Sequence, residues 1–232
     1  MNTRGLLDQL LKSGQQLLEK QAGKGGSGKP GTSAGGLGGL LSGVGGGALG
    51  AGALGLLLGS KKARKYGGKA LTYGGLAALG VLAYKAYGNW HARQPGAGQA
   101  PEPQTLDRLP PAQAEQHSQA VLRALVAAAK SDGHIDERER ALIEGEFTRL
   151  DTDRELQHWL HDELNKPLDP TEVARAAQTP EMAAEMYLAS VMMVDQENFM
   201  ERAYLDELAR QLRLDPALRQ ELESQVRLAA GQ

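Results

Sequence analysis

The sequence predicts an all-α protein: a compact bundle of about seven short helices, preceded by glycine-rich membrane helices and a flexible linker. Charge divides the chain of 232 residues, since residues 1–100 hold 12 Lys/Arg and 2 Asp/Glu (net +10) and residues 101–232 hold 14 and 26 (net −12). Glycine divides it at the same place, with 27 of 30 before residue 100. No stretch of the acidic half alternates apolar and polar residues as a half-buried strand does.

Composition divides the chain into four regions. Residues 1–30 contain leucines at helical spacing and then a basic, glycine-rich stretch, which predicts an amphipathic helix and a linker. Residues 31–90 are rich in Gly, Ala and Leu, and we expect them to associate with a membrane in one or two spans. Residues 91–114 are a Pro/Gly/Gln linker, and residues 115–230 are the acidic helical domain.

The strongest membrane signal lies at residues 37–59, which contain ten Gly and eight Leu and no ionisable residue. As a helix this segment is roughly 34 Å long, enough to cross the hydrocarbon core of a bilayer. In water each glycine costs such a helix about 1 kcal/mol relative to alanine, whereas lipid makes the helix obligatory. A flexible linker is the alternative, but the eight leucines of this segment are untypical of a linker.

A ridge of small residues predicts close packing with another helix, and so a homo-oligomer. The ridge consists of Gly35, Gly39, Gly43, Gly47, Ala51, Gly55 and Gly59.

A second uncharged run, at residues 70–84, follows the basic cluster at 61–69. It reaches the length of a span if Lys69 and Lys85 extend to the headgroups. Tyr87 and Trp90 lie near its end, where aromatic rings favour the lipid–water interface. A two-helix hairpin and a single span with the basic cluster inside both stay open. Either arrangement is compatible with a cytoplasmic acidic domain, which is the location that we expect.

Helix boundaries in the acidic half are marked by cap residues and prolines. The first helix is expected at 111–131, and further helices begin after a cap residue. The expected caps are Asp136, Asp151 or Asp153, Asp169, Thr179, Asn198 and Asp215. Residues 186–194 carry no charge, so this part of the helix that begins at Pro180 belongs at the centre of the bundle, with its methionines as core filling.

An internal repeat identifies the candidate site. In each copy an apolar helix ends in an aspartate, and a second helix starts with a glutamate. These residues are Asp132 and Glu139 in the first copy and Asp195 and Glu201 in the second. If the copies pack around a pseudo-twofold axis, the four carboxylates converge. They then repel one another unless a cation or an arginine neutralises them.

Two interpretations of these acids stay open. Glu139 and Glu201 lie three residues after Asp136 and Asn198, so they fit capping boxes that need no ligand. Alternatively the four acids bind a divalent cation, and oxygen-only ligands suit calcium, magnesium or manganese better than zinc. The chain has no cysteine, which excludes disulfides, thiolate catalysis and cysteine-based zinc sites.

A family resemblance rests on the same repeat. Residues 129–136 (Ala-Lys-Ser-Asp-Gly-His-Ile-Asp) with Glu139, and Asp195 with Glu201, resemble the TerB-like domain of tellurite-resistance proteins. A glycine-rich front joined to such a domain resembles the YebE-type inner-membrane proteins of Gram-negative bacteria. The resemblance implies an all-helical domain at the bacterial inner membrane, a proposed acidic site for a divalent metal, and a role in envelope or metal and oxyanion stress. It brings no established catalysis.

These features predict a membrane-tethered interaction module that is not an enzyme. Its expected partners are the lipid bilayer and an unidentified protein. Nucleic acid is not expected, because the acidic domain is repelled by phosphates. Two alternatives are a metal-dependent enzyme acting on phosphorylated or lipid substrates and a purely structural membrane scaffold.

Overall fold

The computed structural model describes residues 3–5, 75–94, 102–133, 141, 144–145, 153–194 and 198–229. Within these ranges the regular elements are helices, and none is a strand. The helices are α1 (Gly75–Ala92), α2 (Pro111–Ala129), α3 (Arg154–Asn165), α4 (Pro170–Ala174), α5 (Pro180–Met193), α6 (Phe199–Gln211) and α7 (Pro216–Ala229). The all-helical prediction is thus confirmed for the described part of the acidic half.

Most helix starts follow the predicted caps, because a cap satisfies backbone N–H groups that the helix itself leaves without partners. Asp169 Oδ1 accepts a hydrogen bond from the Thr171 N–H at 2.8 Å, for example. The other confirmed caps are Asp153, Thr179, Asn198 and Asp215. The helix expected after Asp136 lies outside the described residues.

Helix α5 is the centre of the bundle, as its uncharged run predicts. Every residue from 182 to 193 is buried. Helices α1, α2, α6 and α7 all pack against α5. The methionines belong to the core, with Met186 fully buried and Met192 and Met193 nearly so.

Helix α1 corrects the expectation of a second membrane span at residues 70–84. Among the described residues, no helix is both long and apolar enough to cross a bilayer. The described part of that run belongs to α1, which packs against α7 and α5. Leu79, Ala83 and Ala86 form its buried face, at 3%, 0% and 0% exposure. Their spacing of four and three residues places them on one helical face, which covers the bundle core instead of lipid. The span predicted at 37–59 and its small-residue ridge lie outside the described residues.

Gly80 allows this docking. An added Cβ at Gly80 would lie 2.4 Å from Asp107 Oδ1 and 3.0 Å from the Asp107 backbone nitrogen. The Asp107 carboxylate cannot turn away freely, because its Oδ1 also accepts a hydrogen bond from Thr105 Oγ1 at 2.7 Å. The glycine therefore lets α1 approach the turn that precedes α2.

Residues 105 and 106, within the expected linker, are also part of the core. Thr105 and Leu106 are 0% and 2% exposed. Arg108 lies over the Tyr84 ring of α1, with its guanidinium carbon 4.1 Å from the ring centroid. The bundle therefore includes structure on the amino-terminal side of the expected boundary at residue 115.

A polar cluster joins the carboxy-terminal end of α1 to α7. Glu221 is 5% exposed and accepts hydrogen bonds from Asn89 Nδ2 at 2.7 Å and Gln225 Nε2 at 2.9 Å. Arg93 Nη1 lies 2.9 Å from its second oxygen. These donors, Asn89 above all, hold the pKa of Glu221 below its usual value because they stabilise the carboxylate.

Two glycines of α1 provide a matched test of the docking. We expect Gly80→Ala to lower the free energy of unfolding by about 1–3 kcal/mol, because the methyl group overlaps Asp107. Gly88→Ala should raise it by roughly 0.5–1 kcal/mol, since its Cβ meets nothing within 4 Å and alanine is the better helix former. Denaturant unfolding of both full-length variants measures the difference. Equal effects of the two substitutions would show that α1 does not pack on this turn.

Candidate functional site

Two of the four predicted acids lie in described parts of the chain. Asp132 is half-buried in the turn that follows α2, and Glu201 is 8% exposed in the first turn of α6. The two segments are neighbours, because a Cβ at Gly133 would lie 3.2 Å from Met200 Cε. Gly133 has a φ of +86°, a conformation that favours glycine. The structure thus places one end of each repeat copy side by side.

Glu139 and Asp195 lie outside the described residues. Among the residues that the structure does describe, no group of three or more His, Asp or Glu side chains could hold a metal ion. Convergence of all four acids therefore stays a prediction.

One cleft of the described bundle is a groove of about 660 Å³. It lies between the carboxy-terminal part of α1, the α4–α5 connection and the α6–α7 connection, and we call it the α1 groove. Its ionisable side chains are Tyr87, Arg175, Arg213 and Asp215. A cleft of this size is in the range that binds small molecules or peptide side chains.

Trp90 lines the α1 groove. Its indole Nε1 donates to Asp215 Oδ1 at 3.2 Å, and the same carboxylate oxygen caps α7 through the Ala217 N–H at 2.8 Å. The Tyr87 ring meets the Trp90 ring edge to face, with centroids 5.7 Å apart and planes at 89°. The sequence pattern predicts a lipid interface for the two rings, but in the structure they are partly buried against the bundle core.

Arg213 lines the groove at the α6–α7 connection and has an unusual backbone conformation. Its φ is +54°, and the Leu214 N–H donates to the Ala209 carbonyl at 3.1 Å. This arrangement is the helix-ending motif in which glycine normally occupies the left-handed position. The Arg213 guanidinium has no hydrogen bond or ion pair to any residue that the structure describes. Arg175, the other cation, is paired with Glu172 on the surface.

Another cleft, of about 330 Å³, is less available to a ligand. Its charges bind one another: Glu163 lies 2.9 Å from Arg123 Nη2 and 2.6 Å from Lys166 Nζ. Lys130 Nζ donates to the Glu163 carbonyl at 3.0 Å. These contacts fix α2 to α3, so the charged groups of this cleft serve the fold.

Among the described residues, the most deeply buried carboxylate is Glu185, at the centre of the bundle on α5. Its Oε1 accepts from the Leu106 N–H at 2.5 Å, and its Oε2 lies 2.7 Å from His117 Nδ1 on α2. Burial raises the pKa of Glu185, although the hydrogen bonds from His117 and Leu106 oppose the shift. The site joins three segments of chain and is closed to solvent, so it stabilises the fold and offers no space to a substrate.

Two substitutions of Glu185 separate its hydrogen bonds from its charge. Glu185→Ala should lower the free energy of unfolding by about 2–4 kcal/mol, since it leaves the Leu106 N–H and His117 without partners and opens a cavity. Glu185→Gln keeps the shape and an acceptor, and should cost less than half as much.

Because the pKa of Glu185 is raised, the folded wild type takes up a proton more readily than the unfolded chain. Its stability relative to the Gln variant should therefore fall as pH rises through the raised pKa. Denaturant unfolding over a pH series measures this, and parallel curves for the two proteins would contradict it.

Sequence reasoning missed the α1 groove because its walls come from opposite ends of the domain. The signals of its individual residues are local and ambiguous: a Tyr–Trp pair after an apolar run, and an arginine where a helix ends. Only the docking of α1 brings them together.

Comparison with known proteins gives a family but no activity. A curated protein of Yersinia enterocolitica, described as an uncharacterized protein in the ampR 5′ region, is 35% identical to the chain over 126 residues, which cover 54% of this chain and 89% of that protein. No solved structure matches the chain. The model of DUF533, a protein family of unknown function, matches residues 43–226. That family is TerB-like, which agrees with the resemblance of residues 129–136. The chain therefore belongs to the DUF533 family.

Proposed function

We propose that this protein is a membrane-tethered interaction module: the glycine- and leucine-rich front half anchors it, and the acidic bundle meets a partner protein. The observation that carries the proposal is the docking of α1, because α1 begins six residues after the basic cluster at 61–69 and is built into the bundle core. A front half held at a bilayer would thereby keep the bundle close to it, because α1 follows the basic cluster by only six residues.

The charge division supports the same arrangement. The net charge of +10 in residues 1–100 attracts anionic headgroups, whereas the net charge of −12 in residues 101–232 is repelled by them. The bundle is therefore directed away from the membrane surface toward soluble or membrane-bound partners. The proposal assigns the protein no catalytic step, and a role in envelope or metal and oxyanion stress stays a prediction from the family resemblance.

Flotation with vesicles tests the anchor. We expect the full-length protein to float with neutral phosphatidylcholine vesicles and to stay with them after a carbonate wash, because an inserted apolar helix is held by the hydrophobic effect. Replacing Val44 and Leu49, which lie near the middle of residues 37–59, by aspartate should abolish flotation, since each charge costs about 2.5–3.5 kcal/mol at the centre of a span.

Replacing two acids of the bundle surface, Glu172→Gln with Glu207→Gln, provides the control and should leave flotation unchanged. Recovery of the wild-type protein at the bottom of the gradient would refute the anchor. Release by high salt alone would show electrostatic adsorption in its place.

Cation binding is a second candidate function, favoured by the contact between the turn of Asp132 and the first turn of α6. We propose that the carboxylates of both repeat copies ligate one divalent cation there.

Calorimetric titration of the full-length protein with calcium and with manganese should give a saturable binding signal. Asp132→Asn should lower the affinity for the cation by tenfold or more, because loss of one carboxylate ligand removes charge and coordination. The surface variant Glu172→Gln should bind as the wild type does. Flat traces with both metals would remove this candidate.

A further inference from the structure

Residues 3–5 lie against the bundle. Thr3 is 1% exposed, and its backbone N–H donates to Glu115 Oε1 of α2 at 2.6 Å. The Thr3 hydroxyl donates to the same oxygen, and the Arg4 N–H donates to Glu115 Oε2 at 3.1 Å. The beginning of the front half is therefore attached to the bundle, across a separation of 112 positions in the sequence.

The Glu115 carboxylate is suited to this attachment. Residues 3–5 are helical, and the first N–H groups of a helical segment have no partner within it. A hydrogen bond from such a group to a carboxylate is stronger than one between neutral groups. Within the described part of the chain Glu115 makes no other hydrogen bond or ion pair, so both of its oxygens serve the contact with residues 3 and 4.

The intervening segment, residues 6–74, starts and ends at the bundle. Before it lie the docked residues 3–5, and after it comes α1, which packs against α7 and α5. A single crossing of a bilayer within this segment would place residues 3–5 and α1 on opposite faces. The contact between Thr3 and Glu115 would then be impossible. A segment that is inserted in a bilayer and keeps this contact has to enter and leave at the same face.

The distribution of basic residues favours the same topology independently. Five Lys/Arg precede the uncharged stretch at 31–60, and five more follow it directly, at 61–69. Clusters of Lys and Arg beside an inserted segment stay at the cytoplasmic face. A single crossing would leave five of these residues on each side, whereas a return to the same face keeps all ten in the cytoplasm. The ten residues are Arg4, Lys12, Lys20, Lys24, Lys29, Lys61, Lys62, Arg64, Lys65 and Lys69.

The length of the uncharged stretch determines how it can return. One crossing takes about 20 residues and two take about 40, whereas residues 31–60 number 30. A stretch of this length that returns to its own face turns inside the hydrocarbon layer. Backbone at such a turn is tolerated where protein buries it, and close packing between two copies through their small residues would provide that burial.

We propose that Glu115 holds the amino-terminal segment on the bundle, and that residues 6–74 consequently enter and leave the bilayer at the cytoplasmic face. This inference rests on the proposed anchor and specifies its topology. Of the two arrangements that the sequence leaves open, it excludes the single span.

Hydrogen exchange of the full-length protein in detergent micelles, read by mass spectrometry, tests the docking. The peptide that contains Thr3 and Arg4 should exchange slowly in the wild type. Glu115→Ala should accelerate its exchange by roughly tenfold or more, because hydrogen bonds to a charged group are lost. Gln116→Ala, at an exposed neighbouring position of α2, is the matched control and should stay within about twofold of the wild type. Equal exchange in the wild type and in Glu115→Ala would refute the docking.

Side-specific labelling tests the topology, and the cysteine-free sequence makes single-cysteine variants unambiguous. Arg4→Cys and Gln220→Cys place one thiol at an exposed position of the amino-terminal segment and one at an exposed position of α7. With a membrane-impermeant maleimide, both should react in inverted inner-membrane vesicles and neither in spheroplasts. Gly46→Cys, near the middle of residues 31–60, should react in neither preparation.

Reaction of Arg4→Cys in one preparation and of Gln220→Cys in the other would overturn the proposal, because groups on opposite faces cannot share a hydrogen bond. Reaction of both in spheroplasts would refute the cytoplasmic face, and reaction of Gly46→Cys from the far face would refute the turn. Flotation does not depend on Glu115. The anchor can therefore hold while the two labels fall on opposite faces, and slow exchange at Thr3 can hold while the protein fails to float.

Discussion

The need to bury α5 on all sides determines how the other helices of the bundle are arranged. A helix that is apolar around its whole circumference cannot face water on any side, so other helices must surround it. Helices α1, α2, α6 and α7 do so. The same constraint explains why Glu185, the one carboxylate within the buried part of α5, is fully enclosed by the Leu106 N–H and His117. An ionisable group at that depth is tolerated because its partners come from two different segments that the core already holds in place.

The docking of α1 follows from this requirement and connects the fold to the proposed function. Part of the surface of α5 and α7 is covered by a helix that precedes the acidic half in sequence. Gly80 permits its close approach, and Glu221 fixes its far end through Asn89 and Arg93. One consequence concerns the proposed anchor, because the segment that follows the basic cluster at 61–69 is itself a helix of the bundle. Another is chemical, because α1 supplies the aromatic wall of the α1 groove.

The helix caps and the central place of α5 could be predicted from sequence, whereas particular contacts between distant segments could not. Asp169 and Thr179 are recognisable as caps because a cap depends on side chains and N–H groups two or three residues apart. The sequence does not show what α1 packs against, because an uncharged run of Gly, Ala and Leu has the same composition whether it faces lipid or a protein core. Gly80 contacts Asp107, a residue far along the chain, and no pattern near Gly80 reveals this. The candidate site follows the same rule: a repeat singles out Asp132 and Glu201, whereas the groove needs the tertiary fold.

Hydrogen exchange of the full-length protein, read by mass spectrometry, tests the central claim that α1 is an integral helix of the bundle. Amides of a cooperative unit open together and exchange at one rate set by global unfolding. Residues 79–90 should exchange as slowly as residues 182–193 of α5, and Gly80→Ala should accelerate the exchange of residues 79–90. Rapid exchange of residues 79–90 while α2 and α5 stay protected would contradict it, because α1 would then be a detachable segment and neither the coupling to the front half nor the α1 groove would persist in solution.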